Sequence, residues 1–347
     1  MKALTFKSIR QIEYTDVPDP VIIDPGDMIV RTTCTAVCGS DMHVYHGRET
    51  GIDTGTVMGH EFTGEVVETG SDVKRFSPGD HVVSPFTTNC GECYFCRIGL
   101  TARCDKGQLF GWVENGKGLQ GAQAEYVRIP LADSTAVHIP DGIEVRHALL
   151  AGDILSTGYF CAEMAAVKKG KSYAVVGCGP VGLLAVLSAS ALGADTVYAI
   201  DRIGYRLEIA EKLGGIPVML DDTLKEKVNE LTGGVGFEAV MEAVGSPDAQ
   251  KLAYRIVRPG GIISTVGVHT AGSFSFSPVD AYDKNITYRI GRCSARHYMD
   301  IVIPKIKGWS RELDLVITHR MGLDQGEEAY RMFDRKLDNC LKILLTP

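Results

Sequence analysis

The sequence has no run of about 18 apolar residues, so it lacks the stretch an α-helix needs to cross a bilayer. A positive balance is missing too. Against 43 Asp and Glu stand 36 Lys and Arg, and a net charge of −7 removes the electrostatic drive toward nucleic acid or an anionic membrane. The opening MKALTFKSIRQIEY lacks the apolar core and small-residue cleavage site of a secretory signal, which makes a cytoplasmic location and a small-molecule partner the expectation. Aromatic residues are sparse at 7%, with two tryptophans. At 347 residues the chain nevertheless exceeds what one hydrophobic core usually organises, and two domains are expected.

Cysteine is not scarce. Of ten, four fall in the run CGECYFCRIGLTARC at Cys90, Cys93, Cys96 and Cys104, spaced C-x2-C-x2-C-x7-C. In a reducing compartment such density points to metal and away from disulfides. Four thiolates so placed can enclose a tetrahedral zinc and leave no open position, the signature of a structural site. The plain alternative is four unliganded thiols. A nucleic-acid-gripping zinc ribbon would bring basic residues, and this chain is acidic.

Periodicity divides the chain. Up to about residue 155 it reads as short β segments, among them MKALTF, DMIVRTTCTAV and EFTGEVVETG, broken by Gly, Pro and Asp. An irregular, mostly β domain is expected there. Strand-like and helix-like segments then alternate from SYAVV through TVYAID, YRLEIAEKLG, TLKEKVNELTG, FEAVMEAV and PDAQKLAYRIVRPG to GIISTVG, which predicts a doubly wound α/β domain with a parallel sheet. The tail after NITYRI is short for an independent core and is expected to rejoin the first domain.

Directly after the strand SYAVV and before a helix stand Gly177, Gly179 and Gly182 as G-x-G-x-x-G. The first glycine permits a tight turn, the second lets the backbone approach a pyrophosphate, and the third lets helix and strand pack closely. Asp201 follows Gly182 by 19 residues at the end of TVYAI. A carboxylate there can accept both adenosine ribose hydroxyls and repel a 2′-phosphate, which favours NAD over NADP. Arg202 and Arg206 offer the opposite possibility of pairing with that phosphate, or else stack on adenine or face solvent.

A second cluster emerges when distant residues are gathered: Cys38 in CGSDMH, His60 and Glu61 in GHE, and Asp153 in AGDILSTG. Thiolate, neutral imidazole and carboxylate on Zn2+ sum to zero charge and leave a position open, which describes a Lewis-acid site. Taken singly, a cysteine is a small buried hydrophobe and an aspartate before a helix is an N-cap. Spacing alone does not bring them together.

Together CGSDMH, GHEFTGEVVETGSDVKRFSPGDHV, the four-cysteine loop and VVGCGPVGLLA resemble the zinc-containing medium-chain alcohol dehydrogenases over nearly the whole chain. The resemblance implies a GroES-like catalytic domain over 1–156 and 293–347 and a Rossmann domain over 157–292. It implies Cys38, His60 and Asp153 as catalytic zinc ligands, with Glu61 a neighbouring carboxylate that exchanges onto the metal. By the same resemblance Ser40 and His43 form a proton relay, Thr157 touches the nicotinamide, and Lys342 reaches the pyrophosphate. Pro180, Val181, Val244, Val266, Gly267 and Val268 line the cofactor, while Phe86 and Trp112 line the substrate pocket or simply pack. Many members hold cysteine where this chain has Asp153, an aspartate that resembles the formaldehyde dehydrogenase-like and secondary-alcohol branches. Gly39 stands where some relatives keep an arginine for the pyrophosphate. The expected function is hydride transfer between an alcohol carbon and NAD(H), the alcohol or carbonyl oxygen resting on the catalytic zinc, in a homodimer or homotetramer carrying a catalytic and a structural zinc per chain. A polyol dehydrogenase, a zinc-free enone or quinone reductase and a non-catalytic NAD-binding protein are the alternatives.

Overall fold

The structure, a computed structural model, describes residues 1–347. Its internal contacts divide it into Met1–Ser156 with Ser294–Pro347, and Thr157–Cys293. No helix is long and apolar enough to cross a membrane.

The first unit is built on a mixed seven-stranded sheet. The strand Met28–Val37 (MIVRTTCTAV), rich in β-branched residues, lies at its centre. Phe62–Thr69 and Lys342–Thr346 flank it in antiparallel register, with Thr35 opposite Phe62 and Val37 opposite Ile343. His81–Ser84 and Val137–His138 extend the sheet on one side and Ile317–Gly322 on the other, while Tyr126–Ile129 also pairs with the central strand. The C-terminal tail is therefore part of this sheet. One face packs Met28, Val30, Phe62, Val66, Val82 and Phe110, with Phe62 and Phe110 edge to face at 5.2 Å. A second core gathers Leu4, Met42, Met58, Tyr330 and Ile343. Each such fully buried large side chain contributes about 1.5–3 kcal/mol.

The second unit is a six-stranded, fully parallel sheet in the order Ile216–Met219, Thr196–Asp201, Ser172–Val176, Phe237–Glu242, Val257–Thr265, Thr287–Ile290. Its inner strands read as near-continuous apolar runs because both faces are covered, as SYAVV shows. The helices Pro180–Ala191, Gly204–Lys212, Leu224–Thr232 and Pro247–Ile256 fill the crossovers. Strand order reverses between Ser172–Val176 and Phe237–Glu242, and in open parallel sheets ligands bind beyond the carboxyl ends of the strands at that reversal.

Candidate active site

Cys38 follows the central strand directly, and His60 and Glu61 immediately precede the strand paired with it. The register that places Thr35 opposite Phe62 also lets the Thr35 hydroxyl donate to the Glu61 carbonyl at 2.8 Å. Gly59 adopts φ +87°, and a Cβ there would stand 2.8 Å from Gln123 Cδ, so the turn into His60 requires glycine. Asp153 arrives from elsewhere. It follows the helix Val145–Ala151, and Gly152 presses so closely on the Ser84 carbonyl that any side chain would overlap it. Phe86 N–H then donates to the Gly152 carbonyl at 3.2 Å.

These elements bring Cys38 Sγ within 3.3 Å and His60 Nε2 within 3.4 Å of Asp153 Oδ2. The three donor atoms lie within 4.8 Å of one another. Burial pushes the Cys38 thiol up, helped by Glu61 and Asp153. Burial would push His60 down, but Asp41, Asp153 and Cys38 overrule it and raise the imidazole well above its ordinary value. Asp153 is also pushed up by burial, against which His60, Lys342 and Cys38 hold it below the usual carboxylate range. A set of donors that favours positive charge at its centre fits a divalent zinc, which would hold the thiol ionised and the imidazole neutral.

Behind the donors lies a layer the sequence reading missed. Asp41, 4% exposed, accepts from Cys38 N–H at 2.9 Å and faces His60 Nδ1 at 3.3 Å. This carboxylate–imidazole contact turns Nε2 toward the other donors. Gln123 in turn donates to the Ala36 carbonyl at 2.9 Å and contacts Asp41 at 3.4 Å, and it accepts from the Tyr330 hydroxyl at 2.8 Å. Asp41 sits inside CGSDMH, where a carboxylate able to accept from a candidate ligand histidine was the available signal; Gln123 and Tyr330 carried none.

Ser40 Oγ lies 3.1 Å from His60 Nε2. His43 lies on the short helix Asp41–Tyr45, buried, with Nδ1 free of any hydrogen-bond partner. Burial, aided by Arg48 and His46, pushes it below its ordinary value. Phe86 sets its ring edge-on to His60 with centroids 6.4 Å apart. Trp112, half-buried, packs against the core that holds Leu4, Met42 and Met58.

Lys342, which the resemblance implies at the cofactor pyrophosphate, is 1% exposed, and its ammonium is bound to the Glu61 carboxylate and, at 3.1 Å, to the Val37 carbonyl. The register that sets Ile343 opposite Val37 delivers it there. Glu61 is correspondingly engaged by Lys342 and does not join the Cys38, His60 and Asp153 cluster. Burial pushes its carboxyl up to about 7, with Lys342 pulling the other way.

The four cysteines of the loop converge as well, their sulfurs within 4.8 Å of one another. Cys90 N–H points at Cys104 Sγ at 3.1 Å and Cys93 N–H at Cys90 Sγ at 3.4 Å, so backbone donors already face sulfur. Hydrogen bonds from the Asp105 and Cys96 backbone push the Cys93 thiol down to about 6, toward the thiolate that binds zinc. The loop is anchored where Ala102 N–H donates to Ser294 Oγ at 3.3 Å.

In the second unit Gly177 adopts φ +91°, and a side chain on Gly182 would overlap the Gly177 carbonyl. Gly179 caps the helix that opens with Pro180 and Val181 and has no side chain to occupy the free N–H groups. Such a cradle suits a pyrophosphate. Asp201 Oδ2 accepts from Cys178 N–H at 2.7 Å and Oδ1 from Ile203 N–H at 2.9 Å, which aims the carboxylate beside the glycine turn. Arg206 Nη1 stands 4.0 Å from Asp201, and a Cβ on Gly179 would lie 3.9 Å from it; Arg202 is exposed. Val244 and Val268 are 47% and 39% exposed, with Gly267 between their turns and Val266 half-buried. Thr157 is buried on the helix Ile154–Met164. Glu242 and His269, paired at 2.9 Å near these turns, were not foreseen.

Comparison with known proteins agrees with this chemistry. The model of the alcohol dehydrogenase GroES-like domain matches residues 24–141 and that of the zinc-binding dehydrogenases residues 180–307. The zinc-type alcohol dehydrogenase B of Aspergillus flavus is 42% identical over 345 residues, covering 96% of this chain and 79% of its own. The chain belongs to the zinc-containing medium-chain alcohol dehydrogenases. As a zinc-dependent alcohol dehydrogenase it acts on small molecules. An uncharacterized zinc-type alcohol dehydrogenase-like protein, AdhB of Bacillus subtilis, is 34% identical with full coverage of both chains. The solved alcohol dehydrogenase from Thermus sp. ATN1 superposes with a TM-score of 0.92 at 38% identity, covering 100% of this dehydrogenase and 99% of its own chain.

Proposed function

We propose that this alcohol dehydrogenase uses NAD(H), holds a catalytic and a structural zinc in each chain, and interconverts simple alcohols with their aldehydes or ketones. The observation that carries the cofactor choice is Asp201, whose carboxylate is pinned by Cys178 and Ile203 N–H groups at the end of its strand. An acid so held favours ribose hydroxyls and repels a 2′-phosphate. The second reading, NADP, draws on Arg206, whose guanidinium lies 4.0 Å from that carboxylate.

Cys38, His60 and Asp153 would hold the catalytic zinc, oriented by Asp41, and Cys90, Cys93, Cys96 and Cys104 the structural one. When bound, the catalytic zinc supplies Lewis acidity and the dinucleotide a hydride acceptor. Ser40 Oγ would accept the substrate hydroxyl proton as it releases its own toward His43, which would hand a proton on to solvent; His43 suits this because its lowered value leaves it neutral near pH 7. Phe86 against His60 supplies an apolar wall suited to alcohols with hydrocarbon substituents more than to polyols.

A homodimer or homotetramer is supported by the free sheet edge at Thr287–Ile290, near which Ile290, Phe274 and Tyr282 are 47%, 58% and 82% exposed. Ten free cysteines and no disulfide favour a reducing, cytoplasmic setting. The deciding experiment is a panel of primary alcohols, secondary alcohols, polyols and the matching carbonyls, assayed with NAD and NADP, with zinc counted on the same sample. Turnover of simple alcohols with NAD at two zincs per chain is expected; a preference for NADP, or turnover confined to polyols, would overturn the reading.

A further inference from the structure

Glu242 ends the strand Phe237–Glu242, beside the reversal of strand order, and its side chain is fully buried. Its Oε1 accepts from Val244 N–H at 2.7 Å and Gly245 N–H at 2.8 Å, while Oε2 faces His269 Nε2 at 2.9 Å. Its backbone carbonyl accepts from Val266 N–H at 3.0 Å and Gly267 N–H at 3.3 Å. One residue thus ties together the turns that follow two neighbouring parallel strands.

Those turns are pressed backbone to backbone. A Cβ on Gly267 would stand 2.6 Å from Gly245 Cα, and one on Gly245, at φ +79°, would stand 2.7 Å from Val268 N. The Val244 side chain in turn lies so close over Gly177 that a Cβ there would overlap it. The brace therefore reaches the first glycine of the phosphate-binding turn through Val244.

A buried carboxylate costs far more desolvation than a serine or asparagine that could close the same turn, and it is offset here by charge-assisted bonds to three N–H groups from two loops. The result is an apolar surface held outward: Val244 and Val268 stay 47% and 39% exposed on turns that cannot relax. Large apolar side chains left in water beyond the carboxyl ends of parallel strands fit a ligand that covers them.

We infer that Glu242 and His269 are positioning residues for the dinucleotide: together they hold Val244 and Val268 against it and set its affinity without touching the reacting atoms. The inference rests on the reading that the glycine turn binds NAD(H). Its test is NADH titration by fluorescence on the zinc-loaded enzyme, with the KM for NAD and kcat measured in parallel. His269→Leu removes the N–H facing Oε2 and should weaken NADH binding about tenfold. Glu242→Gln, of equal size, turns an amide NH2 toward one of the converging donors and should weaken it to a similar extent. His269→Gln restores a donor and should recover most of the affinity. In all three, kcat at saturating NAD and the zinc count should stay near those of the unaltered enzyme, a split that a general loss of folding would not produce. NADH affinity within twofold of the parent in both His269→Leu and Glu242→Gln would overturn the inference, as would a His269→Gln variant no better than His269→Leu. Should His269→Leu fail to fold, the isosteric Glu242→Gln decides alone. Failure of the unaltered enzyme to bind NADH or NADPH removes the underlying reading, and is seen before any variant is made.

Discussion

Asp41 shows how much of the proposed catalytic metal site depends on a residue outside its donor set. It accepts from Cys38 N–H and faces His60 Nδ1, so both the Cys38 backbone and the His60 ring take their orientation from it. Asp41→Asn should lower affinity for the catalytic zinc by about 10- to 100-fold while the four-cysteine site keeps its metal, which competition with a chelator will measure. His43 makes the matching case for the proton. Burial first, then Arg48 and His46, lower it from 6.5, so the imidazole is neutral at pH 7 and gains a proton only as pH falls through a value below 6.5. Alcohol oxidation should therefore lose rate on that acid side. His43→Gln should erase this limb and slow turnover by about tenfold to a hundredfold; a profile that keeps its limb would remove the relay. CGSDMH made Cys38, Ser40 and His43 visible in the sequence, yet the roles of Gln123 and Tyr330 were not, because a side chain that braces another is recognised only by what it touches.

Among the elements, the four-cysteine loop and the glycine turn were the most legible, and for the same reason. Each is local: the spacing that defines it also places its atoms, since a few residues of chain can reach only a small volume. The loop consists of short helical turns, Tyr94–Arg97 and Thr101–Arg103, with no strand of its own in a sheet, so its metal should hold these turns together. Cys104→Ala is expected to lose a zinc and lower the melting temperature or the assembled fraction, with kcat per folded molecule retained, as metal analysis and calorimetry would show. The turn is less forgiving. A methyl group on Gly182 would overlap the Gly177 carbonyl, and Gly182→Ala should weaken NADH binding by more than about tenfold while both zincs stay in place. The strand Lys342–Thr346 teaches the opposite lesson. Pairing beside Met28–Val37 buries Lys342 against Glu61, and no local signal could report that register.

For the whole molecule, the free edge at Thr287–Ile290 and the exposed Tyr282 and Ile290 lead to a test of assembly. The protein should sediment as a homodimer or homotetramer, and Ile290→Lys combined with Tyr282→Lys should shift it toward monomer, by roughly the hundredfold that losing a few kcal/mol of apolar contact implies. A monomeric parent at micromolar concentration would remove the proposal. By itself the sequence determined the parallel α/β sheet, through alternating strand and helix periods, and the two local constellations, through glycine and cysteine spacing. The meeting of Cys38, His60 and Asp153, the layer of Asp41, Gln123 and Tyr330 behind them, the Glu242–His269 brace and the burial of Lys342 were decided only by tertiary structure. The division follows from chain connectivity: periodicity and short spacing are written along the backbone, whereas contacts between residues far apart in order depend on strand register and packing, which no short stretch contains.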